Sequence, residues 1–364
     1  MGIAEDRSYD FGEYIRQGEA SKAERADAWR TAIGLQAVDG LVPSGYLIET
    51  AKEHIEGGIG IDEAYARMRS YYEERASRDD VDAGEMEADL VSSRIAKILS
   101  DKAFTFSPVQ LKAIHRFLFE GLLDDAGEYR PYNVTKREWV LEGDTVFYAS
   151  CGSIADTLRY DFEREAEFDY ASVDDVTTAR RIASFISGIW QIHPFSEGNT
   201  RTAAVFAIKY LNSMGCSIDN EQFERHSWYF RNALVRANYS NRGKGVASTR
   251  RYLDMFFDNL LLGGKHELRN RCLHVNYEKE HADVSLKRGP RMLVDALGDE
   301  ELSARELMSK LGLSDRNSFM ETYLNPALKH GLVERTIPDK PTSRMQRYRR
   351  AGRMQEPEVS LRAT

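Results

Sequence analysis

The feature that most constrains the fold is a polar decapeptide, His193 to Thr202, that runs directly into an apolar segment. That segment, 203–208, reads Ala-Ala-Val-Phe-Ala-Ile and predicts a buried helix. Gly198 and Asn199 come just before it, so the start of the helix lies within the polar stretch. A helix N-terminus offers free backbone N–H groups and a positive dipole end, which makes this junction a natural seat for phosphate.

The side chains of the decapeptide carry complementary chemistry. His193 is a candidate general base, and Glu197 is a candidate ligand for Mg²⁺, which prefers carboxylate oxygens. Arg201, in the first turn of the predicted helix, is able to bind two phosphate oxygens at once. The alternative is a plain loop and helix cap, because Asn and Thr favour caps and a single His is usually structural. We favour the functional interpretation because these groups fall within nine positions.

This stretch resembles the signature of Fic domain proteins, His-x-Phe-x-(Asp/Glu)-Gly-Asn-Gly-Arg-x-x-Arg. The resemblance implies a mainly α-helical fold with a β-hairpin flap, and an enzyme that transfers AMP from ATP to a Tyr, Ser or Thr hydroxyl of a target protein. It implies that His193 accepts the proton of that hydroxyl and that Glu197 holds Mg²⁺. The implied phosphate-binding residues are Gly198, Asn199, Thr200 and Arg201.

Two positions depart from the signature. Thr200 replaces its second glycine, and Ala204 replaces its second arginine. Glycine lets the backbone approach a phosphate closely and tolerates φ angles that Thr resists. A related branch with a bulky residue at the glycine position, the death-on-curing toxins, transfers the γ-phosphate of ATP. Phosphate transfer or transfer of another nucleotide therefore stays an alternative to AMP transfer, which we favour.

The N-terminal region, residues 10–75, is rich in helix formers and predicts helices. Within it, residues 35–43 are similar to the inhibitory helix of the antitoxins that partner Fic toxins, with the motif (Ser/Thr)-x-x-x-Glu-(Gly/Asn). Asp39 stands at the glutamate position, while the arginine that the glutamate normally meets is Ala204. The resemblance implies that Asp39 inhibits, either by repelling the γ-phosphate or by reaching Arg201. The alternative is that Asp39 and Gly40 only end a helix.

The predicted catalytic domain contains one segment with strand character. Residues 138–148 predict two short strands around a Glu-Gly-Asp turn. The resemblance implies a flap that covers the nucleotide and aligns the target by adding a strand. The alternative is a connector that buries Trp139. Phe230 and Asn238 are the best matches to the family's adenine-binding residues, and the alternative for Phe230 is a plain core position.

The C-terminal region predicts a winged helix-turn-helix. Residues 285–364 carry 15 Lys and Arg against 11 Asp and Glu, although the whole chain has a net charge of −8. This contrast favours contact with DNA phosphates, and the alternative is a protein–protein module. Pro326, inside the predicted recognition helix, counts against DNA binding. The basic residues of the predicted wing are Lys340, Arg344, Arg347, Arg349 and Arg350.

These observations predict three regions: residues 1–80 as an antitoxin-like helical region, 81–275 as the catalytic domain and 276–364 as the winged domain. The longest apolar runs are too short to span a membrane, and the N-terminus lacks the plan of a signal peptide. We therefore expect a cytoplasmic enzyme whose three widely spaced cysteines are free thiols. The rival hypothesis is a nucleotide-sensing regulator that binds DNA. The target protein stays open, and a homodimer is one expectation for the assembly.

Overall fold

The computed structural model describes residues 20–76, 81–216, 218–277, 288–298, 300–329, 331–338, 343 and 345–351. The chain divides into two units, Met1–Leu273 and His274–Thr364. The first contains the predicted N-terminal and catalytic regions, and the second contains the predicted winged domain. Each is described by itself.

Helices dominate the described part of the first unit, joined by loops and short 3-10 turns. In chain order the helices are α1 (Ala20–Gly34), α2 (Gly45–Glu56), α3 (Ile61–Ala76), α4 (Ala83–Ser100), α5 (Pro108–Phe119), α6 (Ile154–Ala166), α7 (Asp175–Ile192), α8 (Asn199–Ser213), α9 (Glu221–Asn238) and α10 (Arg251–Leu261).

Helix α8 lies at the centre of this unit. Every residue from Asn199 to Leu211 is buried, because the helix is apolar on nearly all faces beyond its first turn. Helices α4, α5 and α7 pack around it. The predicted buried helix after the decapeptide is therefore confirmed, and its first turn is held on a rigid support.

The N-terminal helices pack on the same core. Helix α1 packs against α4 and α9, and the fully buried indole of Trp29 donates to Nδ1 of His54 at 2.9 Å. The predicted break between α1 and α2 is confirmed: Gly40 has φ 71°, and Ser44 caps α2 by accepting from the N–H of Leu47 at 3.1 Å. The last turn before Gly40 is a 3-10 turn, Leu35–Asp39. Residues 10–19 of the predicted helical region lie outside the described residues.

The predicted strands at 138–148 are wrong. This segment forms a loop with a 3-10 turn at Trp139–Leu141, closed by the N–H of Glu138 donating to the carbonyl of Asp144 at 2.9 Å. Val140 and Leu141 are both buried, although neighbours on a strand point to opposite faces. Trp139 is 52% exposed, so the alternative of a connector that buries it is also wrong. We call residues 130–148 the flap segment.

The second unit has its own hydrophobic core, which includes Leu293, Leu307, Phe319 and Val333. Its helices and strands are α11 (Arg288–Leu297), α12 (Ala304–Lys310), α13 (Arg316–Phe319), α14 (Asn325–Lys329), β1 (Val333–Arg335) and β2 (Tyr348–Arg350). The strands pair antiparallel, with Val333 opposite Arg350.

Pro326 does not break the predicted helix of the second unit. A π-helical turn, Met320–Leu324, joins α13 to α14, so the chain stays helical from Arg316 to Lys329. A wider turn relieves the clash of the proline ring with the preceding turn and accommodates its missing N–H. Ser303 and Glu306 form a capping box at the start of α12.

None of the helices within the described ranges is long and apolar enough to cross a membrane. The cysteines Cys151, Cys216 and Cys272 are all described, half-buried and free.

Candidate active site

His193 follows helix α7 in a strained backbone conformation. Its φ of 51° and ψ of 60° lie in the left-handed region, which residues with a β-carbon rarely adopt. The buried guanidinium group of Arg130 donates to the backbone carbonyl oxygens of His193 at 2.7 Å and of Ile192 at 3.3 Å. The N–H of Arg130 also donates to the carbonyl of Pro194 at 2.9 Å. These contacts of Arg130 fix the backbone at His193, and they therefore fix the direction of its imidazole.

The imidazole of His193 is buried and lies against the ring of Tyr148, with 4.2 Å between centroids. The carbonyl of Trp190 lies 3.4 Å from Nδ1, so we assign the proton to Nδ1. Nε2 is buried and meets no hydrogen-bond partner among the described residues. Burial lowers the pKa of His193 well below its usual value, and the nearby charge of Lys136 lowers it further. A neutral imidazole with Nε2 unprotonated is the form that a general base requires.

His115 supports the loop that follows His193. Its imidazole stacks on the ring of Phe195, with centroids 3.8 Å apart and planes 9° apart. The N–H of Gly127 donates to Nδ1 of His115 at 2.8 Å, which leaves the proton on Nε2 to donate to the carbonyl of Glu197 at 3.1 Å. Burial lowers the pKa of His115 to about 4, so this neutral tautomer persists at physiological pH.

Asn199 closes the same loop with its side chain. Its Oδ1 accepts from the N–H of Phe195 at 3.0 Å, and its Nδ2 donates to the carbonyl of Phe195 at 2.8 Å. Both ends of the amide are thus bound to the loop. The side chain of Asn199 therefore holds the loop closed immediately before α8.

Gly198 is required at the start of α8 for two reasons. Its φ is 71°, and a Cβ there would lie 2.3 Å from the ring of Phe119. Thr200, two residues later, lies in the regular first turn of α8, so the φ angles that Thr resists are not needed there. Its Oγ1 accepts from the indole N–H of Trp190 at 2.9 Å. Thr200 thus joins the end of α7 to the start of α8.

Glu197 projects from the loop with its side chain 61% exposed and pairs with Lys136 of the flap segment, Nζ to Oε2 at 2.7 Å. Among the described residues no three His, Cys, Asp or Glu side chains are grouped as a metal cage would need. Mg²⁺ commonly uses one or two carboxylates, water and substrate phosphates instead. An exposed single carboxylate beside a helix N-terminus fits that mode of binding.

Arg201 is buried in contacts with the N-terminal helices. Its Nη1 donates to Oε1 of Gln36 at 3.0 Å, and its Nη2 pairs with Oε1 of Glu87 at 2.6 Å. Its Nε lies 2.8 Å from Oδ2 of Asp39, an ion pair in which the N–H does not point at the oxygen. The ring of Phe119 covers the guanidinium group at 4.8 Å. Asp39 thus reaches Arg201, one of the two arrangements expected from the sequence.

Of the two residues predicted to bind adenine, one lies in the core. Phe230 is fully buried, and its ring packs against Phe223 and Phe256 at 5.2 and 4.9 Å. It is a core residue with no ring face left for a base, so that prediction is corrected in favour of its alternative. Nδ2 of Asn238 donates to Oγ of Ser187 at 2.8 Å and therefore ties α9 to α7.

Two of the five basic residues of the predicted wing are paired within the second unit. Arg349 pairs with Glu334 at 2.6 Å and with Glu301 at 3.4 Å, and Arg347 lies 3.4 Å from Glu306. Lys340 and Arg344 lie outside the described residues. Charges that are already paired offer less to nucleic-acid phosphates.

The structure brings His193, Glu197, Gly198, Asn199 and Arg201 to one end of α8, as expected. Arg130, His115, Lys136 and Glu87 were not predicted as part of this site. Each acts through a contact with a residue at least 61 positions away in sequence. The sequence alone carries no periodic signal for such contacts.

Two segments of the chain match known families. Residues 105–211 match the Fic/DOC family, and residues 290–351 match the C-terminal domain of the filamentation induced by cAMP protein Fic-like family. These matches agree with the helical fold and the loop geometry: residues 105–211 are similar to a Fic domain, and residues 290–351 are similar to a Fic-like C-terminal domain.

Two curated relatives are similar to part of the chain. One is the protein adenylyltransferase VbhT of Bartonella schoenbuchensis, 26% identical over 171 residues, which are 47% of this chain and 34% of VbhT. The other is the probable protein adenylyltransferase y4lH of Sinorhizobium fredii, 26% identical over 176 residues, which are 48% of this chain and 86% of y4lH. This chain therefore spans about a third of the length of VbhT.

Solved structures of Fic proteins are also similar. A Fic family protein from Desulfovibrio desulfuricans G20 matches over 95% of this chain and 93% of its own, with 21% identity and a TM-score of 0.38. The N-terminal FIC domain of Bep8 from Bartonella sp. 1-1C matches over 50% of this chain and 88% of its own, with 17% identity and a TM-score of 0.40.

Proposed function

We propose that this chain is a protein adenylyltransferase that transfers AMP from ATP, with Mg²⁺, to a hydroxyl side chain of a target protein. The observation that carries the proposal is the buried, neutral His193, whose Nε2 has no partner among the described residues, on the loop that leads into the helix with Arg201 in its first turn. The similarity to two proteins named adenylyltransferases supports it. The free cysteines agree with a reaction in the cytoplasm.

In the proposed reaction, Nε2 of His193 accepts the proton of the target hydroxyl while its oxygen attacks the α-phosphorus. The bond between the α-phosphorus and the bridging oxygen breaks, and pyrophosphate leaves. Backbone N–H groups at the start of α8 bind the α-phosphate, and Arg201 binds the β-phosphate once it is released from its present partners. Mg²⁺ at Glu197 supplies neutralisation of the phosphate charge. General-base assistance of this kind contributes about 10²–10⁴-fold to the rate.

We further propose that the chain as observed is self-inhibited. Arg201 cannot bind phosphate while Asp39, Gln36 and Glu87 engage it. The Asp39 contact is the least well directed of the three, and its side chain is 39% exposed. We therefore expect the turn Leu35–Asp39 to move away when nucleotide binds. Inhibition through Arg201 replaces the family's clamp, which needs the arginine that is Ala204 here.

The test uses ATP labelled at the α- or the γ-phosphate, a lysate as the source of targets, and three proteins: wild type, Asp39→Ala and Asp39→Ala/His193→Ala. We expect α-label on protein, more of it with Asp39→Ala, and loss of at least about 10²-fold when His193 is also replaced. Label from the γ-phosphate alone would establish the phosphotransfer alternative. Equal labelling by wild type and Asp39→Ala would remove the inhibitory role.

The DNA-binding regulator is the less favoured hypothesis, because Arg347 and Arg349 are paired with glutamates. We expect no retarded band in a gel shift with genomic fragments at physiological salt. A specific retarded band would restore that hypothesis.

A further inference from the structure

Lys136 is the counter-charge of the carboxylate that the proposed function assigns to the metal. Its ammonium lies 2.7 Å from Oε2 of Glu197, and its side chain is 26% exposed. An ammonium and a divalent cation cannot both occupy that carboxylate oxygen. Without metal, the charge of Glu197 is therefore neutralised by Lys136, just as the charge of Arg201 is neutralised by Asp39 and Glu87.

The flap segment holds the backbone of Lys136 in place. The N–H of Lys136 donates to Oγ1 of Thr145 at 3.2 Å. Two residues later, the buried carboxylate of Glu138 binds Arg231 of α9 through contacts of 2.7 and 3.1 Å. The ammonium sits on a flexible four-carbon stem above this anchored backbone, so it can shift while the flap segment stays in place.

Through Glu197, the ammonium contacts the loop that joins His193 to α8. Its charge is second only to burial among the causes that lower the pKa of His193. Lys136 thus contacts Glu197, the proposed metal ligand, on the loop that also begins with His193, the proposed base. We expect the phosphates of a nucleotide whose metal is held by Glu197 to lie within reach of this ammonium.

We propose that Lys136 is a ligand of the nucleotide phosphates, which pairs with Glu197 only while no metal-bound nucleotide is present. The inference deepens the proposed function and rests on it. When the metal takes the carboxylate of Glu197, the released ammonium binds a non-bridging phosphate oxygen through a charge-assisted hydrogen bond. Without nucleotide, Lys136 pairs with Glu197. With metal-bound nucleotide, Lys136 pairs with a phosphate and Glu197 pairs with the metal, so the exchange leaves neither charge unpaired and costs little free energy.

The first arm of the test measures Mn²⁺ alone by the electron paramagnetic resonance of the free ion. Lys136→Met removes the competing ammonium, so we expect Mn²⁺ to bind up to about fivefold more tightly. The increase should vanish in Glu197→Gln. Lys310→Met is the matched control, because Lys310 forms an ion pair of the same length, 2.7 Å, with Glu300 in the second unit. The control should leave Mn²⁺ binding unchanged.

The second arm measures the affinity of Mg²⁺-ATP by calorimetry, with Asp39→Ala/His193→Ala as the background so that no turnover occurs. Here Lys136→Met should weaken binding by about tenfold, and Lys136→Arg should restore part of it. Shifts in opposite directions for the metal and the nucleotide are the signature of the exchange, since a purely structural lysine would weaken both. Unchanged nucleotide affinity, or weaker binding of both probes, would overturn the inference.

The two proposals fail separately. Opposite shifts without any AMP transfer by Asp39→Ala would reject the adenylyltransferase and retain Lys136 as a nucleotide ligand. AMP transfer with no change of either affinity in Lys136→Met would reject the inference and retain the enzyme.

Discussion

At the scale of single residues, the site depends on buried polar side chains that tie distant parts of the backbone together. Arg130 binds backbone carbonyls at the chain reversal, His115 joins Gly127 to the loop, and Thr200 accepts from Trp190. Nε2 of His193, Nε of Arg201 and Oγ1 of Thr202 are buried and have no hydrogen-bond partner among the described residues. Of these three atoms, only the imidazole nitrogen is a base near neutral pH, so it is the atom that can accept a proton from a substrate. Native structures leave few buried polar atoms unpaired, and those few commonly have a function.

The pH dependence of AMP transfer should reflect the environment of His193. Burial lowers its pKa, and so do the charges of Lys136, Arg130 and Arg231, while the carbonyl of Trp190 opposes them. The base form is the neutral one, so activity persists as the pH falls through 6.5 and is lost only at a lower pH. We expect the acid limb of the rate profile of Asp39→Ala to have its midpoint below 6.5. A midpoint at or above 6.5 would show that another group titrates.

At the scale of elements, the decisive feature is the junction of the loop with α8. The loop is closed by Asn199, supported by His115, and turned by Gly198 against the ring of Phe119. The flap segment differs, because side-chain contacts such as Glu138 with Arg231 hold it, rather than a ladder of strand hydrogen bonds.

Replacing Gly198 by alanine tests this junction, with Gly40→Ala as its matched control. Both glycines have φ 71°, but a Cβ at Gly40 meets nothing within 4 Å, whereas one at Gly198 lies 2.3 Å from Phe119. The control should lose about 1 kcal/mol through backbone strain alone. Gly198→Ala should lose about 1–3 kcal/mol more through overpacking, as measured by urea unfolding. Equal losses would mean that the close packing on Phe119 is not needed.

At the scale of the whole molecule, the N-terminal helices and the catalytic helices form one unit, so inhibition is built into its packing. Arg201 is 3% exposed, and its charge needs Asp39 and Glu87 as counter-charges when no phosphate is present. A buried cation that loses its partners is costly, which links nucleotide binding to stability.

Thermal unfolding should reveal this link. Asp39→Ala/Glu87→Gln removes both acidic partners of Arg201, so we expect it to melt below wild type without ligand. Mg²⁺-ATP should then raise its melting temperature more than that of wild type, because phosphate replaces the missing charges. Arg67 pairs with Glu53 and Glu63 on the surface, so Glu53→Gln/Glu63→Gln is a control that should change neither value. If Mg²⁺-ATP raised the melting temperature of Asp39→Ala/Glu87→Gln less than that of wild type, the coupling of nucleotide binding to stability would be contradicted.

Truncation after Leu273 should leave the first unit folded. The second unit buries its own core, which includes Leu293, Leu307 and Phe319. We expect residues 1–273 to retain helical circular dichroism and, with Asp39→Ala, the labelling of target protein. Loss of both would show that the second unit is needed for folding, and loss of labelling alone would assign it a part in target recognition.

The sequence by itself determined the helical class, the ends of several helices and the cluster at the start of α8. These are local properties: apolar periodicity, glycine and capping residues act within a few positions of the chain. Only the tertiary structure decided that Phe230 lies in the core, that the flap segment is not a hairpin, and that Asp39 and Glu87 hold Arg201. Arg201 meets Glu87 across 114 positions of sequence, and such a pairing depends on how the helices pack rather than on any local pattern.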